Sequence, residues 1–372
     1  MSDLVADIWK IGRNIETNLI QSANDFLNAT GVNQIWSSLA ALPSNIIDNT
    51  TPNDLMTFLN DKTAIPVPTN QNLNQTPTVS QFMNAANAEY ALAGTPDGMS
   101  PFLINGKQLS VIDEASGMSA KVWMTDNDQV IIAFQGTTGG INLLTNPAAV
   151  ATGVLSDVQI WNQTVSQAQK DALSFTHYVV DMAQQQGINT NNIFVTGHSL
   201  GGIEASYVAQ QTGLGGIAFE PTGVPSSSTA KGDGSNFVST VTYGDPVGEY
   251  ANDTMPGMSF VTSMPAGASG EFNHYGHVVM LGNPADDAPM KAAISDWNSS
   301  TVGNISELLS AASFVGNHLP GTQAADMGIK LSPYVPVGDT SIYKSGQVFA
   351  VGNDSIAQLL TDNANRTTSL TS

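Results

Sequence analysis

The chain has no cysteine. That absence removes disulfide frameworks, thiolate metal sites and a cysteine nucleophile together. Basic side chains are also scarce: 11 Lys and Arg stand against 31 Asp and Glu, a formal charge of -20 at pH 7. A field of that sign repels phosphate backbones and anionic headgroups, so nucleic acid is not an expected partner. A neutral lipid, ester or polymer met through apolar surface is still allowed. There is no run of about 18 apolar residues, the length that crosses a bilayer, so no transmembrane segment is expected. The opening stretch MSDLVADIWKIGRN lacks the apolar core of a secretory signal. Scarce Lys and abundant Asn and Thr suit an extracellular protein. Export without a cleaved signal is therefore expected, with the cytoplasm as the alternative.

What is present is a globular composition, 41% hydrophobic and only 11% charged over 372 residues. That is enough for a sizeable core in one large domain or two ordinary ones. Apolar positions recur at helical spacing over 3–30 (Leu4, Ile8, Ile11, Ile15, Leu19) and 33–60 (Ile35, Leu39, Leu42). Residues 63–78, with three prolines and several asparagines, read as a linker. A helical N-terminal extension with its linker is thus expected over 1–80. From residue 81 strands and helices alternate. Short strands are predicted at 107–112 and 120–124, buried strands at 130–134 and 192–196, and further strands at 216–219 and 237–243. Helices are predicted at 167–185 and 202–210. This order implies an α/β fold, a mostly parallel sheet with helices on its faces, over 81–330. Residues 331–372 form a C-terminal segment of short strand-like runs and polar turns, expected to pack on that domain.

Gly197-His198-Ser199-Leu200-Gly201 is a Gly-x-Ser-x-Gly sequence. A chain this rich in Gly and Ser would supply roughly 0.3 such matches by chance. The setting carries more weight than the pattern, because the match falls between a buried strand and a helix. There a serine is held on a tight turn with its hydroxyl exposed. The glycines let strand and helix touch, and the helix N-terminus stabilises developing negative charge. The plain alternative is a Gly-rich helix start with an ordinary serine. An acid following the next strand could orient an imidazole. Asp245 meets that requirement, with Asp233 and Asp253 as rivals in polar loops. His177 lies in the helix before the nucleophile strand and His198 belongs to the elbow itself, which leaves His274, His277 and His318 for the base. The chain order Ser, Asp, His suits all three.

The segment Val195 to Gly202 resembles the nucleophile elbow of the class 3, fungal-type lipase family, and is similar to that of secreted bacterial lipases. Val130-Ile131-Ile132-Ala133-Phe134-Gln135-Gly136-Thr137 resembles that family's strand ending in Phe-Arg-Gly-Thr or Phe-Arg-Gly-Ser, with Gln135 in place of Arg. Phe219-Glu220-Pro221 loosely occupies the place of a Phe-Gly-x-Pro strand end. The resemblance covers about residues 85 to 330 and implies an α/β-hydrolase with a catalytic triad. Asp245-Pro246-Val247 looks like the acid segment of related lipases. Asn317-His318-Leu319-Pro320 resembles the His-Leu-Pro segment of the bacterial ones, which favours His318 as base. His274-Tyr275-Gly276 resembles a His-x-Gly segment that is not the base in class 3 lipases.

The same resemblance assigns the oxyanion donors to Thr137 and to the backbone N–H of Leu200; the alternative role of Thr137 is a strand-end turn residue. The implied activity is carboxylic ester hydrolysis through an acyl-enzyme, first of all that of a triacylglycerol lipase. Phospholipase A1 or short-chain esterase activity would use the same residues. No cofactor is implied. The partner is an ester or lipid substrate, met through transient contact with a lipid interface. Residues 139–161 read equally well as a lid and as a buried helix. Asp286-Asp287 reads as a solvated turn in preference to a calcium site. A reading of another class is a non-catalytic binding or surface protein on a hydrolase fold.

Overall fold

The computed structural model describes residues 65–69, 71–89, 94–112, 118–136, 165–245, 247–253, 272–288, 317–333 and 348–371. The helices expected over 3–60, the apolar stretch 139–161 and Thr137 fall outside these residues. In chain order the elements are α1 (Val79–Ala88), β1 (Met99–Pro101), β2 (Leu103–Ile104), β3 (Lys107–Gln108), β4 (Ser110–Ile112), β5 (Ser119–Thr125) and β6 (Val130–Phe134). They continue with α2 (Gln167–Gln185), β7 (Ile193–His198), α3 (Leu200–Thr212), β8 (Gly215–Phe219), β9 (Val224–Pro225), β10 (Phe237–Thr242), β11 (Phe272–Asn273), β12 (His277–Leu281), α4 (Pro320–Asp326) and α5 (Ile356–Thr371).

Among the described residues the central sheet has eight strands, in the order β1-β5-β6-β7-β8-β10-β12 with β4 also on β5. From β6 to β12 every pairing is parallel, and β1, β4 and β5 join antiparallel at the other edge. This is the α/β fold that the alternation of strands and helices predicts. Parallel strands covered on both faces read as unbroken apolar runs, and β6 shows how the two faces divide. Val130, Ile132 and Phe134 pack with Phe175 and Val179 of α2 and Val208 of α3. Ile131 and Ala133 pack on the opposite face with Phe82 of α1 and Ile356 and Leu359 of α5. The period of two along a strand thus assigns each residue to one of two cores.

Local signals set the helix ends. Thr78 and Gln81 form a capping box at the start of α1, as Ser166 and Gln169 do for α2. Gly213, at φ 78°, ends α3 in the left-handed conformation. The segment read as a linker lies against the core. Ile65 is buried in the α2–α3 cluster, Gln71 Nε2–H donates to the Ile193 carbonyl at 3.2 Å, and Gln129 Nε2–H donates to the Gln75 carbonyl.

Several boundaries differ from expectation. The strand predicted over 107–112 is broken at Leu109, whose side chain is buried, into β3 and β4. Helix α1 was not anticipated. Its polar stripe of Ser80, Asn84 and Asn87 is short and largely buried along with its apolar residues, so it does not read as a solvent-facing side. The C-terminal segment read as strand-like runs carries the 16-residue helix α5 instead. Ile356 and Leu359 bury one stripe of it among Thr and Asn, which disguise a helix in sequence.

Phe82 meets Phe194 of β7 edge to face, with ring centroids 5.9 Å apart, and so fixes α1 to the sheet. Phe82→Ala is expected to lower unfolding free energy by about 3–5 kcal/mol, read as a shift of the urea midpoint at unchanged slope. A loss below about 1 kcal/mol would mean that α1 is not part of the cooperative core.

Candidate active site

β7 runs into α3 with only Ser199 between them. Ser199 has φ 60° and ψ -127°, a backbone region that is costly for any residue with a Cβ. The turn is held from both sides. The Ser199 N–H donates to the Phe219 carbonyl at 2.9 Å, and its own carbonyl accepts the Ile203 N–H at 3.0 Å. A Cβ at Gly197 would lie 2.2 Å from the Gly201 carbonyl oxygen, and one at Gly201 would lie 2.2 Å from that of Phe134. The two glycines are therefore a steric requirement of helix-on-strand contact. Leu200 opens α3, so its N–H has no intrahelical acceptor by helix geometry and sits at the positive end of the helix.

The structure brings Ser199, His318 and Asp245 together from distant parts of the chain. The Ser199 hydroxyl lies 2.8 Å from His318 Nε2, to which it can donate. His318 Nδ1–H donates to Asp245 Oδ2 at 2.8 Å. This assignment of protons follows from Asp245 being an acceptor. Asp245 also accepts the Val247 N–H at Oδ1 (2.9 Å) and the Gly248 N–H at Oδ2 (3.0 Å). All three residues are buried. The loop carrying His318 is tied down twice. His198 Nε2–H donates to the His318 carbonyl at 2.7 Å, and Asn317 Nδ2–H donates to the Tyr243 carbonyl at 3.2 Å. A second carboxyl, that of Glu220 at the end of β8, meets Asp245 from behind.

Burial works against charge throughout this site, and neighbours decide each outcome. For Asp245 burial raises the pKa, but the charge and hydrogen bond of His318, the bond from Glu220 and the Val247 N–H bring it down to about 2. For Glu220 burial, then the charge and hydrogen bond of Asp245, push it well above the usual carboxylate range. Glu249, on the same turn as Asp245, is raised to about 9 by burial and by the Asp287 carboxyl. His198 is lowered to about 3 by burial and by His318, so it stays a neutral donor.

The rival residues lie elsewhere. His274 pairs with Asp253, its Nδ1 lying 2.9 Å from Asp253 Oδ1, while its Nε2 donates to the carbonyl of Gly248 (2.7 Å) and that of Pro221 (3.2 Å). It thus braces the acid loop from beneath. His277 is exposed at the start of β12, His177 lies on α2, and Asp233 is exposed and bonded to Ser235. Asp287 is buried beside Glu249, so the turn at 286–287 is not simply solvated. The Gln135 amide donates to the Glu89 carbonyl, a neutral bond where the resemblance would place an ion pair. The bracing roles of Glu220, His198 and the Asp253–His274 pair escape the sequence reading. The strand-end position of Glu220, next to a proline, was the only visible trace of its role.

No family model matches this chain, and no curated protein resembles it in sequence. Among solved structures, the extracellular lipase LipA from Serratia marcescens is 21% identical, with a TM-score of 0.27. The match covers 40% of this chain and 28% of that one.

Among the described residues, five buried carboxyls have raised pKa values: Glu89 (about 7), Glu204 (well above its usual value), Glu220, Glu249 and Asp326 (about 7). Burial is the leading cause in each. A carboxyl whose folded pKa exceeds its unfolded one stabilises the fold below the unfolded pKa and loses that contribution as pH rises. Asp245 and Asp253, lowered by their histidines, have the opposite sign and lose theirs only below the ordinary Asp range. The melting temperature is therefore expected to climb as pH is lowered from about 9 to about 5 and to fall again below about 3.5. Calorimetry across that range tests this; a flat profile would contradict it.

Proposed function

We propose that this chain is a serine hydrolase of carboxylic esters on an α/β-hydrolase fold. The observation that carries the reading is the pair of 2.8 Å contacts joining Ser199 Oγ, His318 and Asp245 Oδ2. The strained strand-turn-helix that presents Ser199 supports it. Ser199 attacks the ester carbonyl while His318 Nε2 takes its proton. Asp245 holds the imidazole in the required tautomer and stabilises the imidazolium. The Leu200 N–H at the start of α3 and, by the family resemblance, Thr137 receive the oxyanion. His318 then protonates the leaving alcohol, and water releases the acid by the same route in reverse.

The proposed substrate class is a neutral acyl ester met at a lipid surface, triacylglycerol before phospholipid or soluble short-chain ester. Among the described residues no helix is long and apolar enough to cross a membrane. The proposed site of action is outside the cell.

Covalent labelling with a fluorophosphonate tests the chemistry. Labelling of the intact chain is expected, and Ser199→Ala should abolish it. His318→Ala and Asp245→Asn should each lower kcat on p-nitrophenyl esters by about 10⁴-fold or more. An intact chain that neither labels nor turns over would favour a binding protein on this fold. Rates that rise steeply on emulsified long-chain esters support the lipase assignment; preference for soluble short esters or phospholipid vesicles redirects it.

A further inference from the structure

Among the described residues, the non-glycine residues with positive φ are Asn105, Asp128, Ser199 and Glu220. Asn and Asp adopt that conformation readily in tight turns. A serine and a glutamate do not, and these two stand at the ends of the adjacent parallel strands β7 and β8. The strain at Ser199 presents the nucleophile; the strain at Glu220 calls for its own explanation.

The side chain of Glu220 is fully buried, and its two oxygens have different surroundings. The Thr242 N–H is shared between Oε1 at 3.1 Å and Oε2 at 3.2 Å, while Oε1 also accepts the Thr242 hydroxyl and the Gln323 Nε2–H. Oε2 turns toward Asp245. A Cβ added to Gly248 would lie 2.3 Å from Glu220 Oε2 and 2.8 Å from Asp245 Oδ2, so both carboxyls crowd against a residue that has to be glycine. Two buried carboxylates cannot share such a space with both ionised. Asp245 has the donors that suit an anion, from Val247, Gly248 and His318. Oxygen and nitrogen atoms of Glu220, Asp245 and His318 come within 4.8 Å of one another. A proton accounts for the close approach without an ion.

We propose that Glu220 is a positioning residue of the Ser199 site: a neutral carboxylic acid whose O–H donates to the Asp245 carboxylate and holds it in the orientation that aligns His318. The proposal rests on the hydrolase reading for its catalytic consequence, but not for the place of the proton. The raised pKa of Glu220 and the lowered one of Asp245 agree with it. During turnover the Ser199 proton passes to His318 Nε2 and on to the leaving alcohol, while the Glu220 proton stays where it is. The pair then carries one negative charge, set against one positive charge when His318 is an imidazolium. The ionisable groups facing Glu220 are Asp245 and, beyond it, His318; Glu249 lies on the same turn, with Oε1 accepting the Gly244 N–H. Strand β10 presents Thr240 and Thr242, and α4 presents Gln323, none of which titrates.

Two variants separate donor, charge and bulk. Glu220→Gln keeps an acceptor for Thr242 and Gln323 and an N–H for Asp245, but cannot ionise. Glu220→Met keeps the length and removes the donor. Infrared spectra at about pH 7 should contain the carbonyl band of a protonated buried carboxyl that Glu220→Gln lacks. On a soluble ester, Glu220→Gln should hold kcat within about fivefold of the parent, while Glu220→Met loses about 10²-fold with KM little changed. As pH rises and Glu220 ionises beside Asp245, the parent should lose kcat on an alkaline limb that Glu220→Gln lacks. The proposal is overturned if the band is absent, if Glu220→Gln falls as far as Glu220→Met, or if Glu220→Met matches the parent. Should Glu220→Met not fold, the alkaline limb decides: shared by parent and Glu220→Gln, it overturns the proposal. A parent that shows the band but hydrolyses no ester refutes the hydrolase reading and leaves the proton on Glu220. An active parent without the band does the reverse.

Discussion

The close approach of α3 to the ends of β6 and β7 governs the rest of the site. Backbone meets backbone there at Phe134, Gly197 and Gly201, at separations that leave no room for a methyl group. A turn squeezed between such neighbours has one conformation open to it, and Ser199 is held at positive φ because strand and helix both demand it. Once that turn is fixed, the hydroxyl, the first N–H of α3 and the C-terminal edge of the parallel sheet face the same side. The acid loop after β10 and the histidine loop before α4 need only reach that edge.

They reach it through hydrogen bonds to backbone carbonyls. Asn317 holds Tyr243, His198 holds the carbonyl of His318, and His274 holds the carbonyls of Gly248 and Pro221. Each bond spans separate segments, so the site is a knot of loops. In a protein with so few basic residues, buried acids have other acids for neighbours, and the crowding of Glu220 by Asp245 and of Glu249 by Asp287 raises the pKa of each glutamate. A negative surface and an acid-filled site interior are two results of one composition.

Much of this was legible in the sequence wherever one physical cause dominated. The strand at 130–134 shows as an apolar run because both its faces are covered, and α2 shows because its buried stripe repeats at helical spacing. Its predicted limits match those found. Ser199 was legible because its glycines answer to sterics, which leave a local trace. The choice among three histidines was not settled by chain order, since what selects one is a fold that brings residue 318 within reach of residue 199. Glu220 and the Asp253–His274 pair were illegible as partners for the same reason. Helix α5 was misread because Thr and Asn are weak helix formers, and only packing against α1 and the sheet overrides that preference.

The bond from His198 to the backbone of His318 couples two residues 120 positions apart, and one of them is the immediate neighbour of the nucleophile. A chain synthesised from its N-terminus completes the elbow, the acid loop and most of the sheet while this acceptor is still missing. On the proposed reading, until the segment around residue 318 docks, Ser199 has neither its base nor the latch that keeps the base in place. The proposed reactivity thereby depends on that docking: a copy that stops short of residue 318, even one with its parallel sheet built, would carry Ser199 on its turn without the imidazole beside it.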